Sequence, residues 1–139
     1  MGTTIRPEIS IKNKYWIDRH RYYELKHFCL QYTSWKKAYD GISDLYLKAV
    51  TFDEKISSNT PTDLTGKYAT AKSEYSKKID MVEKAAYEAD ADLANYILKA
   101  VTENLSYTHL KSRLNIPCSK DTYYDRYRRF FWILSKARN

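Results

Sequence analysis

From Lys67 to Glu103 the chain contains neither glycine nor proline, and its apolar residues recur in alternating steps of four and three: Tyr75, Ile79, Val82, Ala86, Ala89, Leu93, Tyr96, Ala100. A repeat of that period sustained over so many turns is helical, because residues three and four apart share a helix face. The rest of the chain agrees. Its 139 residues hold only three glycines and three prolines, which leaves few places for the tight turns of a β architecture. The seam carries three alanines and two tyrosines, so it is weaker than a leucine or isoleucine zipper. It is expected to pack on other helices of the same chain. The alternative is packing on a second copy, as a homodimer. One bent helix and two joined helices both fit.

The length supports one domain with a core of its own. Residues 1–14 are polar and aperiodic and read as a flexible arm, with Arg6, Lys12 and Lys14 available to a minor groove. Residues 15–50 read as an N-terminal helical hairpin. Its first helix runs from Asp18, a capping residue, to about Tyr32, with Tyr22, Leu25, Phe28 and Cys29 on one face. Thr33-Ser34 is expected to break it and cap a second helix, striped by Trp35, Ala38, Tyr39, Ile42, Leu45 and Tyr46. Residues 51–64, which include Ser-Ser-Asn-Thr-Pro, read as a linker. The long seam occupies residues 65–103, as one helix or two.

The C-terminal segment 90–139 carries the clearest sign of a partner. Leu93, Ile97 and Val101 give a supporting helix one apolar face. Ser106 can cap a short helix with Leu110 and Leu114 turned inward and His109, Lys111 and Arg113 turned out. Asn115-Ile116-Pro117-Cys118 breaks it, with Ile116 as a plug, and Ser119 caps the next helix. In that last helix Tyr123, Tyr127, Phe130 and Leu134 form the expected core stripe. Helix, tight break, helix with a basic face is the layout of a helix-turn-helix. The fold class expected is therefore all-α, a helical bundle with a C-terminal helix-turn-helix.

Charge is concentrated in the same place. Residues 106–139 hold 8 Lys/Arg against 2 Asp/Glu, or +6 of a net +7; residues 1–50 hold 9 against 5, and residues 51–105 hold 7 against 10. Such asymmetry suits a polyanion, and a solvated basic face accounts for it as well. A recognition helix reads bases with its N-terminal half and touches phosphates around it. The base-readout candidates are Lys120, Tyr124, Asp125 and Arg128, since Arg pairs with guanine and Asp accepts from a cytosine amine. The phosphate candidates are Thr108, Lys111, Arg113, Arg126 and Arg129.

The string L-S-Y-x-x-L-x-x-x-L-x-I-P-x-S-x-x-T-Y-Y-x-x-Y-R-R, Leu105 to Arg129, resembles the C-terminal helix-turn-helix of phage late-gene activators of the RinA/ArpU type. Their DNA-binding part is in turn similar to the fourth region of bacterial sigma factors. HFCLQYTSWKKAYDGISDL (His27 to Leu45) and TDLTGKYATAKSEYSKKIDMVEKAAYEAD (Thr62 to Asp90) are similar to their N-terminal and central segments. Pro117-Cys118 is a departure, since those proteins use one residue fewer before the recognition helix. The resemblance implies a phage or prophage transcriptional regulator binding double-stranded DNA in the bacterial cytoplasm, with host RNA polymerase or another host protein as a further partner. The rival expectation is a phage-encoded protein that binds or inhibits a host protein or nucleoprotein, such as an anti-defence or anti-CRISPR protein. It would use aromatic and basic surface, and the extra turn residues Pro117-Cys118 and the aromatic run Phe130-Phe131-Trp132 point towards it.

No pattern for catalysis or a cofactor emerges. His20, Glu24 and His27 share a helix face but lack a fourth ligand. Glu88, Asp90 and Asp92 read as a solvated face. Cys29 and Cys118 form no paired motif, which suits a reduced compartment. Gly66-Lys67 is not a phosphate loop, and no apolar run is long enough to span a membrane. The expectation is a binding protein without enzyme activity, cofactor or metal.

Overall fold

The computed structural model describes residues 12–56 and 62–139, and these are helical, with no strand among them. The helices are α1 (Arg19–Leu30), α2 (Tyr32–Ile56), α3 (Thr62–Ala89), α4 (Ala94–Glu103), α5 (Tyr107–Leu114) and α6 (Lys120–Ala137). They divide into two compact units. One joins the chain up to Gln31 with Met81–Asn139; the other is Tyr32–Asp80. No described helix is long and apolar enough to cross a membrane.

Short polar side chains set three of the helix starts. Asp18 Oδ2 accepts from the His20 N–H at 3.0 Å, Ser106 Oγ from His109 at 3.2 Å, and Ser119 Oγ from Thr122 at 3.2 Å. Each satisfies a first-turn donor that has no partner within the helix. Two helices end on asparagine rather than glycine: Asn104 (φ 56°) and Asn115 (φ 52°) are left-handed, a conformation asparagine tolerates better than most residues. The long seam is two helices. Asp90 divides them, its Oδ1 accepting from Asp92 N–H at 2.9 Å and Leu93 N–H at 3.1 Å.

The first break falls earlier than expected. Gln31 alone separates α1 from α2, and Thr33 and Ser34 lie inside the first turn of α2. That turn tolerates them because its N–H groups lack helical partners anyway, and it places Tyr32 and Trp35, both buried, on one face. The linker expected over 51–64 shrinks as well, since α2 runs to Ile56 and α3 starts at Thr62. Of the arm, residues 1–11 lie outside the described residues, whereas Lys12 to Tyr15 form a turn that ends on buried Tyr15.

In the first unit α1 packs on α4 and α6, and α4 packs on α5 and α6. The seam residues Val82, Ala86, Ala89, Leu93 and Ala100 are buried there, as are Ile97 and Val101. Tyr96 is half-buried. Helix α6 is covered by two neighbours, so its buried arc is wider than one stripe. Phe131 is only 1% exposed and joins Tyr123, Phe130 and Leu134 in the core, while Tyr127 is half-buried. The Tyr22 ring meets Phe131 at 5.1 Å, and the Tyr22 and Tyr127 hydroxyls share a 2.7 Å hydrogen bond. Arg21 closes the α1–α6 edge, donating from Nε to Ser135 Oγ at 3.1 Å and from a terminal nitrogen to the Ser135 carbonyl at 2.8 Å. Arg138 donates to Glu24 at 2.9 Å and lies over the Phe28 ring.

In the second unit α2 and α3 run antiparallel, with Lys78 over the Trp35 ring and Lys72 over the Tyr39 ring. The stripe expected on α2 is buried at Trp35, half-buried at Ala38, Tyr39 and Ile42, and solvent-facing at Leu45, which is 54% exposed.

Candidate nucleic-acid interface

Helices α5 and α6 are joined by a break that is tied down on both sides. The Leu110 carbonyl accepts from Asn115 N–H and, at 3.1 Å, from Ile116 N–H. Ile116 and Leu110 are fully buried, which makes Ile116 the expected plug; Leu114 is only half-buried. Tyr107, the first residue of α5, donates its hydroxyl to the Cys118 carbonyl at 2.6 Å. The break is thereby held without glycine. Thr108, Lys111 and Arg113 are all exposed on α5, with Lys111 Nζ also reaching the Ile116 carbonyl at 3.5 Å.

On α6, Lys120, Tyr124 and Arg128 follow one another at four-residue intervals and form one strip. Lys120 is exposed and its ammonium lies 5.8 Å from the Tyr124 ring centre. Tyr124 and Arg128 are half-exposed, and the Tyr107 ring flanks Tyr124 at 6.3 Å. Burial raises the Tyr124 hydroxyl pKa, with Arg128 pulling the other way, so the hydroxyl stays a neutral donor at neutral pH.

Two of the expected contacts are engaged elsewhere. Arg126 donates from Nε to Asp90 Oδ2 at 3.0 Å and from a terminal nitrogen to the Asp125 carboxylate. Its pKa is raised first by the Asp90 hydrogen bond. Arg126, expected on a phosphate, is therefore a brace between α6 and the α3–α4 junction, and Asp125, expected on a base edge, is its second acceptor. Asp90 itself is no part of a solvated face: its side chain is 18% exposed, and it both ties the turn between α3 and α4 and holds Arg126. Asp90→Ala is expected to lower stability by about 1–3 kcal/mol in chemical denaturation, through the lost turn hydrogen bonds and a guanidinium left with Asp125 alone. Asp90→Asn, which keeps an oxygen for the turn, should cost less.

The aromatic run is mostly interior. Phe130 and Phe131 are buried, and only Trp132 reaches the surface. There Lys136 Nζ lies 3.3 Å from its ring centre and Tyr15 meets it edge-on at 5.6 Å. Of the suggested metal ligands, Glu24 is taken by Arg21 and Arg138. Arg129 is half-exposed. Among the described residues Lys111, Arg113, Lys120, Arg128 and Arg129 enter no ion pair.

Both cysteines are free. Burial pushes the Cys29 thiol up to about 12 against the opposing pull of Arg138, and Cys118 is raised by burial and then by Asp90. An unfolded thiol ionises near 9.0 whereas folded Cys29 holds its proton to about 12. The stabilisation is thus complete below pH 9 and is lost as pH rises towards 12. Denaturation followed against pH is expected to show that decline, and Cys29→Ala to reduce it. Alkylation at neutral pH, read by mass spectrometry, should label Cys118 and leave Cys29 untouched until the chain unfolds.

The braces through Asp90, Arg21 and Tyr22 escaped sequence reasoning because their partners are 36, 114 and 105 residues away. The pairing of Trp132 with Lys136 was legible in principle from its four-residue spacing. Comparison with protein families, curated proteins and solved structures finds no match for the chain.

Proposed function

We propose that α4–α6 binds double-stranded DNA as a helix-turn-helix and that the chain is a sequence-specific transcriptional regulator of phage or prophage origin, acting in the bacterial cytoplasm by binding rather than by catalysis. One observation carries this reading: unpaired cations and half-exposed Tyr124 lie along α5 and the open side of α6, while the apolar side of α6 is consumed by α1 and α4. Lys120, Tyr124 and Arg128 are the base-reading strip. Lys111, Arg113, Thr108 and Arg129 hold phosphates. The rival, a host-protein binder, keeps Trp132 at the surface, whereas Phe130 and Phe131 are interior and give it less aromatic area than the full run would. Interfaces are anchored by aromatics that are available to a partner.

Selection from random duplexes at moderate salt, followed by gel shift, tests the proposal. Enrichment of one sequence is expected. Equal retention of all sequences would sink the regulator reading and leave only a non-specific polyanion binder.

A further inference from the structure

The open side of α6 is divided by charge. At about 100° per residue, Asp121, Asp125, Arg128, Arg129, Trp132 and Lys136 share the side opposite Tyr123, Phe130 and Leu134. Around the N-terminal half, Lys120, Arg126 and Arg128 are matched by Asp90, Asp121 and Asp125, three cations to three carboxylates. The C-terminal half carries Arg129 and Lys136 on the open side with no carboxylate in that half. The cations of α6 left without a matching carboxylate therefore lie beyond the base-reading strip.

Trp132 organises that region. Lys136 Nζ sits 3.3 Å from its ring centre, Tyr15 meets the ring at 5.6 Å and 62°, and Lys14 Nζ lies 5.0 Å from the Tyr15 ring. The result is a ladder of lysine, tryptophan, tyrosine and lysine drawn from both ends of the chain. Its N-terminal part is fixed, because Asn13 Oδ1 accepts from Tyr15 N–H at 2.8 Å, the Asn13 carbonyl accepts from Trp16 N–H at 3.0 Å, and Tyr15 is buried. A cation over a ring keeps its charge. The ladder thus holds the Lys14 and Lys136 ammonium groups against rings, with Arg129 about one turn from Trp132 and two from Lys136 on the same side of α6, and it reduces the side-chain freedom left to lose on binding. With Lys136 over it and Tyr15 against it, Trp132 is poorly placed to stack an unpaired base, so backbone phosphates are the better match than a single strand.

We propose that Lys14, Trp132 and Lys136, beside Arg129, form a clamp for the sugar–phosphate backbone of duplex DNA, separate from the strip at Lys120, Tyr124 and Arg128. This rests on the duplex binding proposed above. The test is fluorescence anisotropy of the full chain with a labelled duplex across a salt series. Each phosphate contact contributes about 0.9 to the slope of log affinity against log salt. The double variant Lys14→Gln/Lys136→Gln is expected to flatten the slope by about 2 units and to weaken binding about tenfold at moderate salt, with sequence preference unchanged. Lys67→Gln/Lys77→Gln removes the same charge from exposed positions of α3 and is expected to keep the wild-type slope; melting curves confirm that both variants fold. A clamp variant with the wild-type slope, or a control variant that loses as much, overturns the clamp and leaves duplex binding standing. Tighter binding of a single-stranded oligonucleotide than of duplex overturns the backbone assignment. Absence of any duplex binding by the unmodified chain overturns both proposals.

Discussion

Phe131→Ala is expected to destabilise the first unit by about 3–5 kcal/mol, the range for emptying a buried phenylalanine site. A small domain has only about 5–15 kcal/mol in total, so much of its margin would go. The ring is 1% exposed and is enclosed by Tyr22, Tyr127 and Phe130 at centroid distances of 5.1, 4.9 and 4.9 Å. Its loss removes both the apolar transfer energy and three edge-on aromatic contacts. Trp132→Ala, one residue on but half-exposed, should cost far less. Chemical denaturation of the two variants gives the comparison. If Phe131 were a surface anchor for a protein partner, its removal would change stability by no more than about 0.5 kcal/mol.

Duplex affinity is expected to fall about 500-fold between 50 and 200 mM salt, if the five unpaired cations Lys111, Arg113, Lys120, Arg128 and Arg129 each displace a counterion; the clamp would steepen this. Removing individual cations separates their roles. Lys111→Ala/Arg113→Ala should weaken all duplexes alike and flatten the salt slope by about 2 units. Arg128→Ala should relax preference at one base position by about 1–3 kcal/mol. Arg126→Ala should do neither in the first instance: its effect is expected in the denaturation curve, because the side chain is held by Asp90 and Asp125. A flat affinity across that salt range would argue against phosphate contacts by this face.

Features decided within a few residues are legible in the sequence, and features that depend on distant partners are not. Asp18, Ser106 and Ser119 start helices as expected because a cap is decided by its own side chain and the next three N–H groups. The steps of four and three mark the buried face of α3 and α4 because helix periodicity is local too. Phe131 lies outside the expected stripe because a single apolar stripe presumes a single neighbour, and α6 has two. Arg126 looked free because nothing within four residues reveals Asp90, 36 positions earlier. Thr33-Ser34 looked like a break because those residues favour caps, yet a first helical turn accepts them equally well.

The docking of α1 on α6 has a consequence for biosynthesis. Helix α1 leaves the ribosome first, yet Ser135, the residue that receives Arg21, is made 114 residues later. At about 5–20 residues per second, Tyr22, Leu25 and Phe28 wait roughly 6–23 s for the α6 surface that completes their cover. The bundle therefore closes late in translation, and a ribosome stalled before α4 would display the apolar face of α1 that α4 and α6 cover to chaperones and proteases.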